Sequence, residues 1–436
     1  MNLFAKLQQR AAEGRPLRIG LIGAGKFGSM YLSQVRRTPG VKLAAVADLD
    51  PDRARKALAR VGWEADAVET VRFTDDAAAL IASDAVEIVI DATGNPAAGI
   101  RHVLACCAQG KHVVMVNVEA DALVGPLLAQ RARQAGILYS LAYGDQPALI
   151  CELVDWAHSC GFEVIAAGKG TKYLPEYHRS TPDTVWAHYG FTPEMVLAGD
   201  FNPQMFNSFL DGTKSAIEMA AVANATGLTP APEGLGFPPC GVDDLPRVLK
   251  PASEGGRLHH RGQVEVISSL ERDGRPVDRD LRWAVYVTFA ADSEYVQRCF
   301  REYGLLTDSA GNISAMYKPY HLIGLELGIS VASVALRGEA TGCATGFRGD
   351  VVATAKRDLK PGEMLDGEGG YTVYGRLMPA ADSLRLGELP LGLAHKVVLK
   401  RAVAAGTPLR WNDVEFDVRD ETVKFRREME RAFAQS

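Results

Sequence analysis

A glycine-rich string directly after an apolar run constrains the fold of this chain more than any other feature. Residues 23–28 read GAGKFG, and apolar residues at helical spacing follow them. In this context the first glycine permits a tight turn, the second lets backbone N–H groups approach a pyrophosphate, and the third lets helix and strand pack closely. The string therefore predicts a strand, a turn and a helix whose N-terminus faces the phosphates of a dinucleotide. The expected contacts are Gly23, Gly25, Lys26, Phe27 and Gly28.

Short apolar runs alternate with alanine-rich helical segments through the first 150 residues. The runs are LRIGLIG, VKLAAVADLD, EIVIDAT, KHVVMVNV and ILYSLAYG. Such alternation is typical of a parallel, doubly wound sheet with helices on both faces. We therefore expect an α/β fold in which residues 1–150 form an N-terminal Rossmann domain that binds NAD(P).

An acidic residue and a basic residue follow the second strand. Asp48 comes 25 residues after Gly23, where a carboxylate accepts hydrogen bonds from the adenosine ribose and repels a 2′-phosphate. Arg53 lies in the following turn and is able to neutralise Asp48 and bind a 2′-phosphate. The pair leaves both cofactors open, with NADPH as the leading expectation and NAD(H) as the alternative.

Polar side chains stand at the ends of the later strands of this domain. Thr93 and Asn95 follow one strand and Asn117 follows the next. Because strand ends at this edge face the nicotinamide half of a dinucleotide, we expect all three to contact the cofactor. The alternative is a solvated loop without a ligand.

Composition narrows the class and the location of the protein. A formal net charge of −5, without a block of like charges, makes nucleic acid and membrane surfaces poor partners. Seven cysteines without a CxxC pair favour reduced thiols and a cytoplasmic location. The sequence shows no apolar signal core and no run long enough to span a membrane.

The remaining two thirds of the chain change character twice. Residues 151–345 mix aromatic strands, a helix at 209–225 and Gly/Pro-rich loops, which predicts an α+β substrate and oligomerisation domain. Residues 346–436 carry two valine-rich strands with turn signals and a charged, periodic end. We expect a small β-rich module with a terminal helix there.

The expected helix at 209–225 carries the main catalytic candidates. At 100° per residue, Asp211, Lys214 and Glu218 fall on one face. Reduction of a carbonyl needs a proton for the nascent alkoxide, and a lysine beside a carboxylate supplies it. We expect Lys214 to be the donor, oriented by Asp211. The alternative is a surface helix with weak charge pairs.

Basic residues elsewhere are candidates for holding an anionic substrate. The string GKGTK presents Lys169 and Lys172 in what the glycines suggest is a flexible loop, and an exposed hairpin is the alternative. Lys318 and His321 precede a helical pattern over 322–334, whose N-terminus favours a nearby anion. His321 is expected to shuttle a proton or contact the substrate, with a hydrogen-bonded core histidine as the alternative.

Several strings resemble known families. VNVEAD resembles the corresponding segment of homoserine dehydrogenase and of the glucose–fructose oxidoreductase type of dehydrogenase. The strings YGDQPAL, GKGTKYLP and YKPYHLIGLE, with a terminal module similar to a SAF domain, resemble the deoxyxylulose-phosphate reductoisomerase-like enzymes. The segment 209–219 resembles the homoserine dehydrogenase helix that bears a catalytic Asp and Lys, although the Lys follows the Asp there by four positions and here by three.

The resemblance implies a specific reaction. It implies NADPH-dependent conversion of 1-deoxy-D-xylulose 5-phosphate to 2-C-methyl-D-erythritol 4-phosphate in isoprenoid synthesis, with Mg²⁺ or Mn²⁺, by a homo-oligomer. Carboxylates such as Glu119, Asp145, Asp211 and Glu218 are available to a metal, but no spacing identifies the ligands. The alternative is a dehydrogenase of a polyol, sugar acid or homoserine-like substrate that acts without rearrangement.

Overall fold

The chain divides into two compact units in a computed structural model that describes residues 2–199, 201–417 and 419–434. The first unit comprises residues 1–152 and 321–345, and the second comprises residues 153–320 and 346–436. This differs from the expected three consecutive domains, because residues 321–345 return to the first unit. Leu327, Val331 and Val334 from that stretch lie in one apolar core with Leu3 and Leu7.

The strands and helices have the following bounds. The strands are β1 Leu17–Ile22, β2 Val41–Ala47, β3 Arg72–Thr74, β4 Ile88–Asp91, β5 His112–Met115, β6 Tyr139–Leu141, β7 Glu163–Thr171, β8 Gln263–Ser268, β9 Val285–Ala290, β10 Ile313–Lys318, β11 Gly349–Ala355, β12 Met364–Asp366, β13 Val373–Pro379, β14 His395–Leu399 and β15 Val414–Glu415. The helices are α1 Leu3–Ala12, α2 Lys26–Val35, α3 Pro51–Arg60, α4 Ala65–Glu69, α5 Ala77–Ile81, α6 Pro96–Gln109, α7 Val118–Gln134, α8 Gln146–Ser159, α9 Val185–Tyr189, α10 Pro193–Gly199, α11 Pro203–Leu210, α12 Thr213–Thr226, α13 Leu245–Val248, α14 Glu294–Glu302, α15 Gly328–Arg337, α16 Ala380–Leu386 and α17 Glu421–Phe433.

The first unit is built on a parallel sheet of six strands in the order β3-β2-β1-β4-β5-β6. The apolar runs 17–22 and 88–91 form strands that are almost wholly buried, as expected for a sheet covered on both faces. Ile22 pairs with Ala47 on one side and with Asp91 on the other, so these strand ends align at one edge. The predicted Rossmann sheet is confirmed, and the ends of its strands bring the sequence candidates together.

The second unit contains a sheet of four strands in the order β10-β9-β7-β8, of which β7 and β8 run parallel and the other pairs antiparallel. The last third of this unit adds the antiparallel pair β11 and β13 and a small sheet of β12, β14 and β15. Helix α12 packs against β7 and β8 and also against β11 and β13. The central segment, residues 153–320, and the terminal β segment, residues 346–436, therefore share one core.

The terminal helix α17 is anchored by a buried arginine. Arg426 is fully buried and donates to both carboxylate oxygens of Asp350, at 3.0 and 2.6 Å, and to Glu430 at 3.0 Å. A helix that the sequence marks as charged and periodic thus has one face in the core. None of the helices in the described part of the chain is both long and apolar enough to cross a membrane.

Candidate dinucleotide and catalytic sites

The glycine-rich turn between β1 and α2 has the geometry that the sequence predicts. Gly23 has φ of 93°, and a Cβ there would lie 2.8 Å from the carbonyl oxygen of Ala92. A Cβ on Gly28 would lie 2.3 Å from the carbonyl oxygen of Gly23. Both positions therefore exclude a side chain for reasons internal to the fold. A Cβ on Gly25 would meet no atom of the described residues within 4 Å, so this glycine borders open space in front of α2.

Helix α2 presents its N-terminus to that space. Gly25 is the N-cap residue and provides no side chain to satisfy the first N–H groups, and Lys26 and Phe27 begin the helix. Unsatisfied N–H groups and the helix dipole attract an anion. The absent side chain and the open space together fit a pyrophosphate at this position.

Asp48 supports the turn and is itself held by an arginine. Its carboxylate accepts hydrogen bonds from the backbone N–H of Ala24 at 2.8 Å, from that of Asp50 at 3.1 Å and from the Arg53 guanidinium at 2.7 Å. Burial opposes ionisation, but the hydrogen bonds from Ala24 and Arg53 outweigh it and hold the pKa of Asp48 below its usual value. The carboxylate is thus ionised and largely occupied, while the Arg53 side chain stays 63% exposed.

The polar residues after β4 and β5 come together at one edge of the sheet, as the sequence predicts. Asn117 is buried and caps α7, and its amide donates to the Asn95 carbonyl oxygen at 2.8 Å and to the Thr93 hydroxyl at 3.1 Å. Thr93 in turn donates to Asp91 at 2.7 Å. Asn117 therefore positions the loop after β4, and the exposed member of the cluster is Asn95.

A buried His–Asp pair at the same edge was missed by the sequence analysis. The Nδ1 atom of His102 in α6 lies 2.9 Å from a carboxylate oxygen of Asp91, whose side chain has no exposed surface. The sign of this pair in the sequence is a carboxylate, Asp91, at the end of an apolar strand. The histidine orients the carboxylate that holds Thr93.

The expected catalytic helix begins later than the sequence predicts, and this changes the role of Asp211. Helix α11 ends at Leu210, Gly212 takes φ of 88°, and α12 begins at Thr213. Asp211 therefore lies between two helices. It accepts from the backbone N–H of Thr213 at 2.9 Å and forms a buried ion pair with Lys356 at 2.7 Å. The prediction that Asp211 shares a helix face with Lys214 is wrong, because the helix does not include Asp211, and its role in orienting Lys214 stays a proposal.

Lys356 is a second residue that the sequence analysis did not select. Besides its contact with Asp211, its ammonium group donates to the carbonyl oxygens of Ser180 and Gly370, each at 2.7 Å. Its side chain is only 2% exposed. The ammonium group thus makes two hydrogen bonds and one ion pair, and through them Lys356 connects the terminal β segment with the start of α12.

The GKGTK string is part of a strand rather than a flexible loop. Residues 168–171 belong to β7, because small residues there allow close packing against the backbone at Glu265 and Leu281. Lys169 is buried and forms an ion pair with Glu218 of α12. Lys172 donates to the carbonyl oxygen of His188. The expected mobile anion loop is therefore wrong, although Glu218 does stand close to a lysine.

The remaining candidates lie at the ends of elements. Lys214 is in the first turn of α12 and is partly exposed. Lys318 ends β10 in the second unit, whereas His321 belongs to the stretch that returns to the first unit. The helix expected from residue 322 begins only at Gly328, because Gly324, with φ of 76°, packs closely against α2. His321 is therefore not at a helix N-terminus.

The carboxylates present do not fit a divalent metal. Asp211 and Glu218 are occupied by Lys356 and Lys169. Within the described ranges no group of three or more His, Cys, Asp or Glu side chains is arranged to hold a metal ion. Glu119 and Asp145, in the first unit, do not belong to such a group either.

Comparison with known proteins agrees with the geometry of the first unit. Residues 17–115 match the model of an oxidoreductase family with an NAD-binding Rossmann fold, and residues 144–327 match that of the catalytic domain of oxidoreductase DRL. Inositol 2-dehydrogenase of Rubrobacter xylanophilus is 36% identical over 104 residues, which are 24% of this chain and 27% of that protein. The chain thus spans about a quarter of the length of this curated relative.

Solved structures give weaker likenesses. An NAD-binding oxidoreductase of Klebsiella pneumoniae is 16% identical, with a TM-score of 0.33 over 77% of this chain and 72% of that one. Myo-inositol dehydrogenase of Lactobacillus casei is 15% identical, with a TM-score of 0.29 over 39% of this chain and 50% of that one. Together with the turn geometry, the two family matches show what these two segments are similar to. Residues 17–115 resemble an NAD-binding Rossmann segment of oxidoreductases, and residues 144–327 resemble an oxidoreductase catalytic domain.

Proposed function

We propose that this protein is an NAD(P)-dependent dehydrogenase that interconverts a hydroxyl and a carbonyl group on a polyol, sugar or sugar acid, without skeletal rearrangement. The observation that carries the proposal is the open space at Gly25 in front of the N-terminus of α2, where a pyrophosphate fits. The substrate class is supported by the similarity of this segment to an inositol 2-dehydrogenase. It is the alternative that the sequence left open.

The cofactor, when bound, supplies or accepts the hydride. The residues of the chain must then move one proton to or from the substrate oxygen and exclude water. Lys214 in the first turn of α12 is the proposed proton donor for the nascent alkoxide. Glu218 of the same helix and Lys169 of β7 neutralise each other, so they hold the helix in place rather than transfer the proton.

Arg53 is the basis of a proposed preference for NADP(H). The Asp48 carboxylate already accepts three hydrogen bonds, and its charge is balanced by the guanidinium. A carboxylate so occupied has little capacity left for two ribose hydroxyls. The exposed guanidinium is available to donate hydrogen bonds to a 2′-phosphate in a bidentate geometry.

The rearranging reaction of a deoxyxylulose-phosphate reductoisomerase is the second candidate, together with its place in isoprenoid synthesis. It is favoured by the sequence resemblance alone, and the likeness of residues 346–436 to a SAF domain has the same basis. A reductoisomerase needs a metal that chelates vicinal oxygens, and the described carboxylates do not provide its ligands. A phosphorylated or otherwise anionic substrate held by Lys318, a homo-oligomer and a cytoplasmic location also stay proposals.

One assay separates the two candidates. Absorbance at 340 nm is followed with NADPH and then NADH in the presence of keto-sugars, aspartate semialdehyde and 1-deoxy-D-xylulose 5-phosphate, and with NADP⁺ and NAD⁺ in the presence of inositol and sugar acids. We expect metal-independent turnover of a sugar or polyol that keeps its carbon skeleton, established by NMR of the product. Metal-dependent oxidation of NADPH that gives a branched phosphate product would overturn the proposal.

A further inference from the structure

The second unit contains a cavity of about 180 Å³ that the proposed reaction does not use. It forms where the start of α12, the segment 233–237 and strand β13 meet. The central segment and the terminal β segment both contribute walls. The lining residues that matter are His178, Ala216, Leu235, Phe237, Tyr374 and Arg376.

Aromatic rings form much of the wall. The His178 ring stacks on Tyr374, with centroids 4.4 Å apart and planes inclined by 21°, and Phe237 stacks on Tyr173 at 3.9 Å. The Nδ1 atom of His178 lies 2.7 Å from the Asp211 carbonyl oxygen and must be the donor, so Nε2 accepts from the Tyr173 hydroxyl at 3.0 Å. Burial lowers the pKa of His178. The His178 ring is thus neutral, and this part of the cavity wall is aromatic and carries no charge.

The backbone of the cavity wall is strained at one aromatic residue. Phe237 has φ of 49°, a left-handed conformation that costs free energy for any residue except glycine. It is held there because its N–H donates to the buried carboxylate of Glu265 at 3.3 Å and its carbonyl oxygen accepts from Arg272 at 2.9 Å. Backbone strain that persists in this way is concentrated at ligand-binding positions. The strain fixes a phenyl ring against the empty volume.

The cavity wall also carries a weakly paired cation. The Arg376 guanidinium donates to the Glu233 carbonyl oxygen at 3.0 Å and approaches the Glu233 carboxylate at 3.4 Å. The Glu233 side chain is 96% exposed and that of Arg376 is 26% exposed. An exposed ion pair of this length contributes little, so a ligand carboxylate in a better position displaces it readily.

We propose that this cavity is a binding site for a small aromatic carboxylate, with one ring against Tyr374 and Phe237 and the carboxylate on Arg376. The volume agrees, since a protein cavity of roughly 150 Å³ holds one benzene ring. A ring without an anionic group would leave Arg376 with its weak partner, and an aliphatic anion would not use the aromatic wall.

The site is separate from the proposed proton donor. Along α12, successive residues are rotated by about 100°, so Ala216 in the cavity wall and Lys214 point to nearly opposite sides of the helix. The proposal therefore does not depend on the dehydrogenase activity. Binding can be measured without cofactor or substrate.

The test is titration calorimetry of the full chain with benzoate, with benzamide as the uncharged analogue. We expect benzoate to bind with one site per chain and benzamide to bind at least tenfold more weakly. Arg376→Met should weaken benzoate at least tenfold, and Leu235→Trp should abolish binding by filling the cavity. The matched control is Arg385→Met, an exposed arginine on α16 that pairs with Asp382 and does not line the cavity.

The titrations with benzoate can support or overturn the proposal that this cavity binds an aromatic carboxylate. It is overturned if wild-type protein binds no benzoate at millimolar concentration, or if Arg376→Met binds it as tightly as Arg385→Met does. Thermal unfolding of both arginine variants shows whether they are folded. Because no hydride transfer is involved, an inactive but benzoate-binding protein would reject the proposed function and leave this site in place.

Discussion

At the residue scale, the glycine-rich turn between β1 and α2 contains glycines of two kinds. Gly23 and Gly28 are needed by the fold, because a Cβ at either position would collide with backbone oxygen atoms. Gly25 is not needed by the fold, because its neighbourhood is open among the described residues and its φ of −67° suits any residue. Packing therefore gives no reason for a glycine there, whereas the proposed pyrophosphate does.

This difference gives the first prediction. Gly25→Ala should weaken NADPH binding about tenfold, because the methyl group occupies space that the pyrophosphate needs, while the melting temperature stays within a few degrees. The control is Gly328→Ala, at another glycine of the first unit where a methyl group would meet no described atom within 4 Å. Fluorescence titration with NADPH checks the affinity, and equal affinities of the two variants would contradict the prediction.

The Asp48–Arg53 pair gives a second prediction at this scale. Arg53→Ala should lower the ratio of NADPH to NADH affinity at least tenfold, because the 2′-phosphate loses its cation while the Asp48 charge is no longer balanced and one of its oxygens becomes available to ribose hydroxyls. Arg55→Ala, on the same helix and paired with Glu69, serves as control. Titrations with both cofactors measure the ratio, and an unchanged ratio would argue for NAD(H).

At the element scale, two buried ion pairs of the second unit lie at α12. Glu218 within the helix meets Lys169 of β7, and Asp211 just before it meets Lys356 after β11. Removal of one partner leaves an uncompensated buried charge, which costs far more than an exposed pair contributes. The helix is thus fixed at Glu218 and just before its first residue.

We therefore predict that Lys169→Met lowers the free energy of unfolding by about 3–5 kcal/mol. The double variant Lys169→Met/Glu218→Gln should lose less than the sum of the two single variants, because each single change leaves one charge without its partner. Lys424→Met, at an exposed pair in α17, should cost less than about 0.5 kcal/mol. Urea unfolding of the wild type and the four variants measures these differences, and strict additivity would show that the pair is not coupled.

The sequence predicted the elements whose signals are local. Strands β1, β2, β4, β5 and β6 were each marked by an apolar run, and the glycine turn by its spacing. The partner of Asp211 was not predictable in this way, because Lys356 lies in another segment and only the folded chain brings them together. The string around Lys169 was misread because glycines suit a flexible loop and a tightly packed strand equally well.

At the scale of the whole molecule, two buried carboxyl groups make stability depend on pH. Burial raises the pKa of Glu265 in β8 from 4.5 to about 7 and that of Asp121 in α7 from 3.8 to about 6. Each pKa is higher in the folded state than in the unfolded state. At a pH between these two pKa values, the folded state therefore binds more protons than the unfolded state does. The free energy of unfolding must therefore fall as pH rises through the range from about 4 to about 7.

The corresponding prediction concerns Glu265→Gln. The wild-type protein should lose up to about 3 kcal/mol between pH 5 and pH 8 through this group, and the variant should lose clearly less, because a glutamine does not ionise. Glu302→Gln, at an exposed glutamate, should follow the wild type. Urea unfolding at the two pH values measures the difference, and parallel behaviour of all three proteins would exclude Glu265 as the titrating group.

The path of the chain between the units has a consequence for biosynthesis. The first unit takes its residues from two separate stretches, 1–152 and 321–345, and the second stretch supplies Leu327, Val331 and Val334 to its core. A nascent chain therefore cannot complete the nucleotide-binding core until residue 345 has left the ribosome. Until then the apolar residues that this second stretch covers stay without their partners, and no single truncation point yields either unit free of residues from the other.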